Sequence, residues 1–167
     1  KVYEKSVERF IPVRSGEGYY VVDRIFDFET FKNDFNMIPT NIRSNPDLVM
    51  EAVLRDGRIL EYVDNESKDN KEIVLAAVKN QPKARPHSRD RTLSVLYYAT
   101  PRLQDDEDVV LAAVKNRGNA LLDASPRLQN NKEMLTNNLN SEEWENVKSW
   151  YFYVFRDREN QKTRWEN

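Results

Sequence analysis

The residues with the widest chemical repertoire lie in one stretch, KNQPKARPHSRDR (79–91), where Lys79, Lys83, Arg85, Arg89 and Arg91 surround His87, the single histidine of the chain. Five positive charges against Asp90 give a local charge of +4. Arginine forks grip phosphate and carboxylate oxygens in pairs, so the stretch could contact an acidic protein, a phospholipid or RNA. No aromatic residue interleaves the basic ones, as a nucleic-acid surface would require. The same composition fits a solvated insertion, because a loop accepts extra residues at little entropic cost. His87 has no nucleophile near it in sequence, and the surrounding arginines depress its basicity.

A second candidate is the aromatic run WYFYVF (150–155). Trp144, Val147, Tyr151 and Val154 recur at helical spacing, whereas the density of aromatic residues would also suit a strand; periodicity favours the helix. In a helix, Trp150 and Tyr153 point away from that stripe, and Trp150, Phe152 and Tyr153 become candidate contacts for a protein partner. The alternative is that these rings only close a core. Between the two candidates, the aromatic segment is expected to contribute more contact energy and the basic loop to steer association.

Support for catalysis is thin. The acidic run DDED (105–108) could imitate a metal or acid–base cluster, but it opens a helix, where carboxylates complement the positive end. GEG (16–18) lacks the third glycine of a phosphate cradle. With no cysteine there is neither a disulfide framework nor a thiolate metal site. No catalytic residue, metal or cofactor is expected, and the protein reads as a non-enzyme.

The elements that must position these residues repeat. KEIVLAAVKN begins at Lys71 and EDVVLAAVKN at Glu107, while ATPRLQDDED (99–108) matches ASPRLQNNKE (124–133). NPDLVMEAV from Asn45 and NKEMLTNNL from Asn131 extend the series, with offsets of 25, 36 and 25 residues. The middle unit therefore carries an 11-residue insertion near 79–91. Asn45, Asn70, Asp106 and Asn131 are expected N-caps, each followed by an acid in the first turn. Leu48, Val49, Ala52 and Val53 form one apolar face, repeated as Ile73, Val74, Ala77, Val78 and as Val109, Val110, Ala113, Val114. The fourth copy replaces part of the stripe with Thr136, Asn137 and Asn138, as a terminal capping unit would. Gly57 and Gly118 are expected to end the first helix of their units in a left-handed cap. Pro101 and Pro126 read as stops or turns.

The string EDVVLAAVKNRGNALLDASPRLQNN (107–131), with KEIVLAAVKN upstream, resembles the short repeat of domain-of-unknown-function family 4116 over about residues 45–139. The resemblance implies an all-helical repeat found in bacterial effector-like, protist and large-virus proteins. It brings no catalytic residues to transfer.

The predicted fold is mainly α: a right-handed array of short helical hairpins over 28–140, each a long helix plus a short one. A small β-hairpin flanks it at 1–27, from VERFIPV and YYVVDRIF, and an aromatic-rich helix capped by Ser141 follows at 141–167. Thr30 to Thr40 is expected to be an incomplete leading unit, because MIPTNIRSNPD (37–47) lies one 25-residue period before YVDNESKDNKE (62–72). Lys plus Arg number 26 against 28 Asp plus Glu, so the net charge of −2 gives no global pull toward nucleic acid. No run reaches the roughly 18 apolar residues of a membrane span. The chain opens at Lys1 without a signal-like segment, which suggests a processed or trimmed piece in a compartment that need not be oxidising. The expected function is a non-catalytic protein-interaction module or accessory subunit of a larger assembly. The alternative is a ribonucleoprotein subunit that touches nucleic acid through loop 79–91.

Overall fold

The computed structural model describes residues 10–11, 20–21, 28–82 and 93–165; the side chains of the first two pairs and of 28–31, 42 and 155–165 fall outside that description. Strands β1 (Phe10–Ile11) and β2 (Tyr20–Val21) pair antiparallel, Phe10 with Val21 and Ile11 with Tyr20. The remainder of the expected hairpin lies outside the described residues. Everything else with regular structure among them is helical.

Each Asx residue caps its helix as its chemistry dictates. Asn45 Oδ1 accepts from the Asp47 and Leu48 amides at the head of α3 (Pro46–Arg55). Asn70 does so for α5 (Lys71–Lys79), Asp106 for α7 (Glu107–Asn116) and Asn131 for α9 (Lys132–Asn138). A cap of this kind contributes about 1 kcal/mol. The apolar stripes of α3, α5 and α7 are buried at every expected position.

The second half of each unit is more finely divided than a single short helix. A 3-10 helix comes first: η1 (Gly57–Tyr62), η2 (Val95–Tyr98) and η3 (Gly118–Asp123). A one-turn α-helix follows: α4 (Asn65–Lys68), α6 (Pro101–Gln104) and α8 (Pro126–Gln129). The 3-10 helices pack side by side and bury Ile59, Leu60, Val95, Leu96, Ala120 and Leu121. Ahead of the array, α1 (Phe28–Met37) spans most of the expected leading unit 30–40 and is followed by α2 (Thr40–Arg43), which begins one 25-residue period before α4.

Two local expectations are corrected. Gly57 and Gly118 begin the 3-10 helices; the caps before them, Asp56 at φ −152° and Arg117 at φ −140°, are extended. Glycine is needed there for proximity. A Cβ on Gly57 would sit 1.9 Å from the Ala77 carbonyl oxygen of the next unit, and one on Gly118 would sit 2.4 Å from the Asn146 oxygen. Pro101 and Pro126, for their part, start helices instead of stopping them, occupying the first position where a missing N–H is harmless.

Adjacent units are joined by one device used twice. Thr100 donates its hydroxyl to Asp69, whose carboxylate also accepts from Arg102 Nε at 3.0 Å. One unit later Ser125 donates to Asp105, with Arg127 Nε at 3.0 Å. The hydroxyl first and the arginine second hold both carboxyls below their ordinary range.

The array closes on α10 (Ser141–Trp165). Its cap is Asn140, not Ser141: the Glu143 amide donates to Asn140 Oδ1 and the Asn140 amide to Glu143 Oε2, both at 2.9 Å. This reciprocal box makes Ser141 the first helical residue. Val147, Tyr151 and Val154 are buried, and Trp144 packs against the core. The run 150–155 is thus helix, not strand. In α9, Met134 and Leu135 are buried and Thr136, Asn137 and Asn138 exposed, but the element that covers η3 is α10.

Candidate interaction surface

The insertion leaves the array at the C-terminal end of α5 and returns at Leu93. Lys79, the last residue of α5, is exposed. Lys83, Arg85, His87, Arg89 and Arg91 lie outside the described residues. The two ends of the insertion are held by hydrogen bonds. Gln81 Oε1 accepts from the Val95 amide at 2.6 Å, drawing the outgoing chain to the returning one. Asn116 Nδ2 donates to the carbonyls of Val78, at 2.7 Å, and Gln81, at 2.9 Å. The Ser94 amide donates to Asp123 Oδ2 at 3.0 Å. Burial foremost pushes the Asp123 carboxyl up, against the pull of Ser94 and Arg117. Gln81 Nε2 is buried and has no hydrogen-bond partner among the described residues.

Beyond this root the middle unit departs from its neighbours on the outside. Leu93, 50% exposed, occupies the position of Gly57 and Gly118. Tyr97, 51% exposed, stands where the other units have Glu61 and Leu122. Its ring meets that of Tyr98 edge to face, with centroids 5.4 Å apart and planes at 88°. Tyr98 bonds to Glu61; burial first, and that carboxylate second, push its hydroxyl up. Neither Leu93 nor Tyr97 stood out in the sequence. The signal was there only once outward positions were aligned unit by unit.

The aromatic segment divides three ways. A Cβ on Gly118 would come within 3.2 Å of Trp150 Cδ1, so the Trp150 ring lies against η3. Tyr153 meets Trp150 edge-on at 6.4 Å and is half-buried. Phe152 is 55% exposed, edge-on to Tyr151. The three do not form one exposed platform.

The four acids of DDED are all engaged. Asp105 belongs to the Ser125–Arg127 joint, Asp106 caps α7, and Glu107 lies 3.4 Å from Arg127. Lys71 Nζ bridges Asp106 and Asp108 at 2.8 Å each. Among the described residues no group of three His, Cys, Asp or Glu side chains could hold a metal ion, and no helix is long and apolar enough to cross a membrane.

Neither a curated protein nor a solved structure matches the chain. A family model does, in three overlapping copies at residues 45–103, 70–129 and 106–136, which follow the repeat found in the helices. The chain belongs to the family described as a domain of unknown function (DUF4116).

Proposed function

We propose that the protein is a non-catalytic interaction module, or an accessory subunit of a larger assembly, that presents side chains on a stack of helical repeats. The observation that carries this reading is α10: one face covers η3, and Phe152 remains 55% exposed on another. An aromatic ring offers about 150–250 Å² for burial, at about 25 cal/mol per Å² before ordering costs. An exposed ion pair returns about 0–1 kcal/mol. Phe152 and the half-buried Tyr153 therefore supply affinity to a protein partner, while Trp150 chiefly holds α10 to the array.

The test is cross-linked capture from the source cell with the full chain as bait. Phe152→Ala with Tyr153→Ala should lose the captured protein and keep the thermal midpoint, whereas Trp150→Ala should lower the midpoint. Capture that survives the double substitution would refute the assignment. A second reading, contact with nucleic acid, draws on the basic cluster Lys79, Lys83, Arg85, Arg89 and Arg91. Its signature is RNA affinity that falls steeply with salt.

A further inference from the structure

We propose that Thr100 and Ser125 are phosphorylation sites of a proline-directed serine/threonine kinase, and that the phosphoryl group opens the joint in which each hydroxyl takes part. Such a switch acts on the stack itself and does not depend on what the array binds.

The first ground is where the prolines fall. Of the seven prolines in the chain, two follow a hydroxyl residue: Pro101 after Thr100 and Pro126 after Ser125. Both pairs stand at the joints between units, and each is followed by an arginine. Pro101, Arg102, Pro126 and Arg127 are exposed. A proline keeps the residue before it extended, and Thr100 sits at φ −65°, ψ 154° and Ser125 at φ −59°, ψ 152°. An extended acceptor followed by proline and a basic side chain is the form of substrate that proline-directed kinases take. Because α6 and α8 are single turns, a local opening presents either hydroxyl without unfolding the long helices.

Helix capping does not require a hydroxyl at these positions. Thr100 makes no side-chain cap bond to α6. In the first unit the equivalent residue is Asp64, which caps α4 by accepting from the Ser67 amide at 2.8 Å.

The second ground is what faces each hydroxyl. The repeat aligns Ser44 with Asp64, Asp69 with Thr100 and Asp105 with Ser125 across successive junctions. Each pair has one carboxylate and one hydroxyl, and none has two anions. In the kinase step the hydroxyl oxygen bonds to the γ-phosphorus of ATP, the bond from that phosphorus to the bridging oxygen breaks, and ADP and the hydroxyl proton leave. The product carries a charge of about −1.5 to −2 where Thr100 now donates to Asp69 and Ser125 to Asp105. The donor is gone and like charges meet. Arg102 and Arg127 bond the same two aspartates, through Nε at 3.0 Å and through Nη2 to their carbonyls at 2.5 and 2.8 Å. A phosphoryl group two residues away competes for each guanidinium. Asp69 and Asp105 then lose both partners, and the junction loosens.

The test incubates the full chain with ATP and a purified proline-directed kinase, with a Ser-Pro-Arg peptide in the same mixture as a control. Intact mass should show two added phosphoryl groups, and fragmentation should place them on Thr100 and Ser125. The thermal midpoint should fall by about 3 °C or more. It should also fall below that of the Thr100→Ala, Ser125→Ala variant, which loses the hydroxyl bonds but gains no charge. With Asp69→Asn and Asp105→Asn in place, phosphorylation should leave the midpoint unchanged or raise it. Asp105→Asn alone reads the Ser125 joint if the double variant does not fold. Four results would overturn the proposal: a chain left unmodified while the peptide is phosphorylated, phosphoryl groups on other residues only, an unchanged midpoint, or an equal fall with and without the facing aspartates.

Discussion

The first and third units close tightly, and the second stands open at the same place. Gly57 and Gly118 let a neighbouring backbone approach so near that no side chain fits. Leu93, at the equivalent position, is half exposed, and side chains do the joining instead. One structural position thus has two different solutions, one made by backbone approach and one by side-chain bonds. The long-helix stripe is kept in α3, α5 and α7, and the joint of hydroxyl, carboxylate and arginine recurs at both junctions between full units. The step from long helix to 3-10 helix can be lengthened, provided its ends are bonded together.

The largest expected effect strikes what all units share. Val110→Asp places an unpaired charge at a fully buried position and should cost about 4 kcal/mol or more. Urea denaturation measures it, and a variant as stable as the parent would mean the stripe is not core. Next comes the contrast itself. Gly57→Ala drives a Cβ to 1.9 Å from the Ala77 oxygen, an overpacking worth about 3 kcal/mol. Leu93→Gly should change stability by no more than about 1 kcal/mol. Equal losses in the two variants would abolish the distinction between tight and open units.

A smaller contrast separates two carboxylates by pH. Asp105 is held low by Ser125 and then Arg127, so its contribution is present above the ordinary carboxyl range and lost as pH falls through the lowered value. Asp123 is pushed up by burial, so its charged form opposes folding at neutral pH and that opposition vanishes on acidification. Asp105→Asn should therefore be less stable than the parent at pH 7, and Asp123→Asn more stable, with both differences shrinking in acid. Denaturation at pH 7 and pH 3 checks the signs; two shifts of the same sign would contradict the joint or the buried root.

Much of the architecture was legible in the residues. Asx caps and apolar stripes are local, and each holds in the structure. The role of Gly57 was misread because a left-handed cap and a close approach ask for the same residue, and only the neighbouring unit tells them apart. Asn140 and Ser141 are both good cap residues, and Glu143, three residues past Asn140, is what favours the first. That α10, not α9, covers η3 depends on tertiary packing that no periodicity encodes. For the site, charge drew attention to the insertion. The half-exposed Leu93 and Tyr97 are visible only against the glycines, glutamate and leucine of the equivalent positions.

The most direct test removes the open step. Residues 82–92 are deleted and Leu93→Gly is made, so that Gln81 runs straight into glycine as Asp56 and Arg117 do. The account predicts an unchanged circular dichroism spectrum and a thermal midpoint within about 3 °C of the parent. A shortened chain that unfolds, or whose midpoint falls much further, would contradict it.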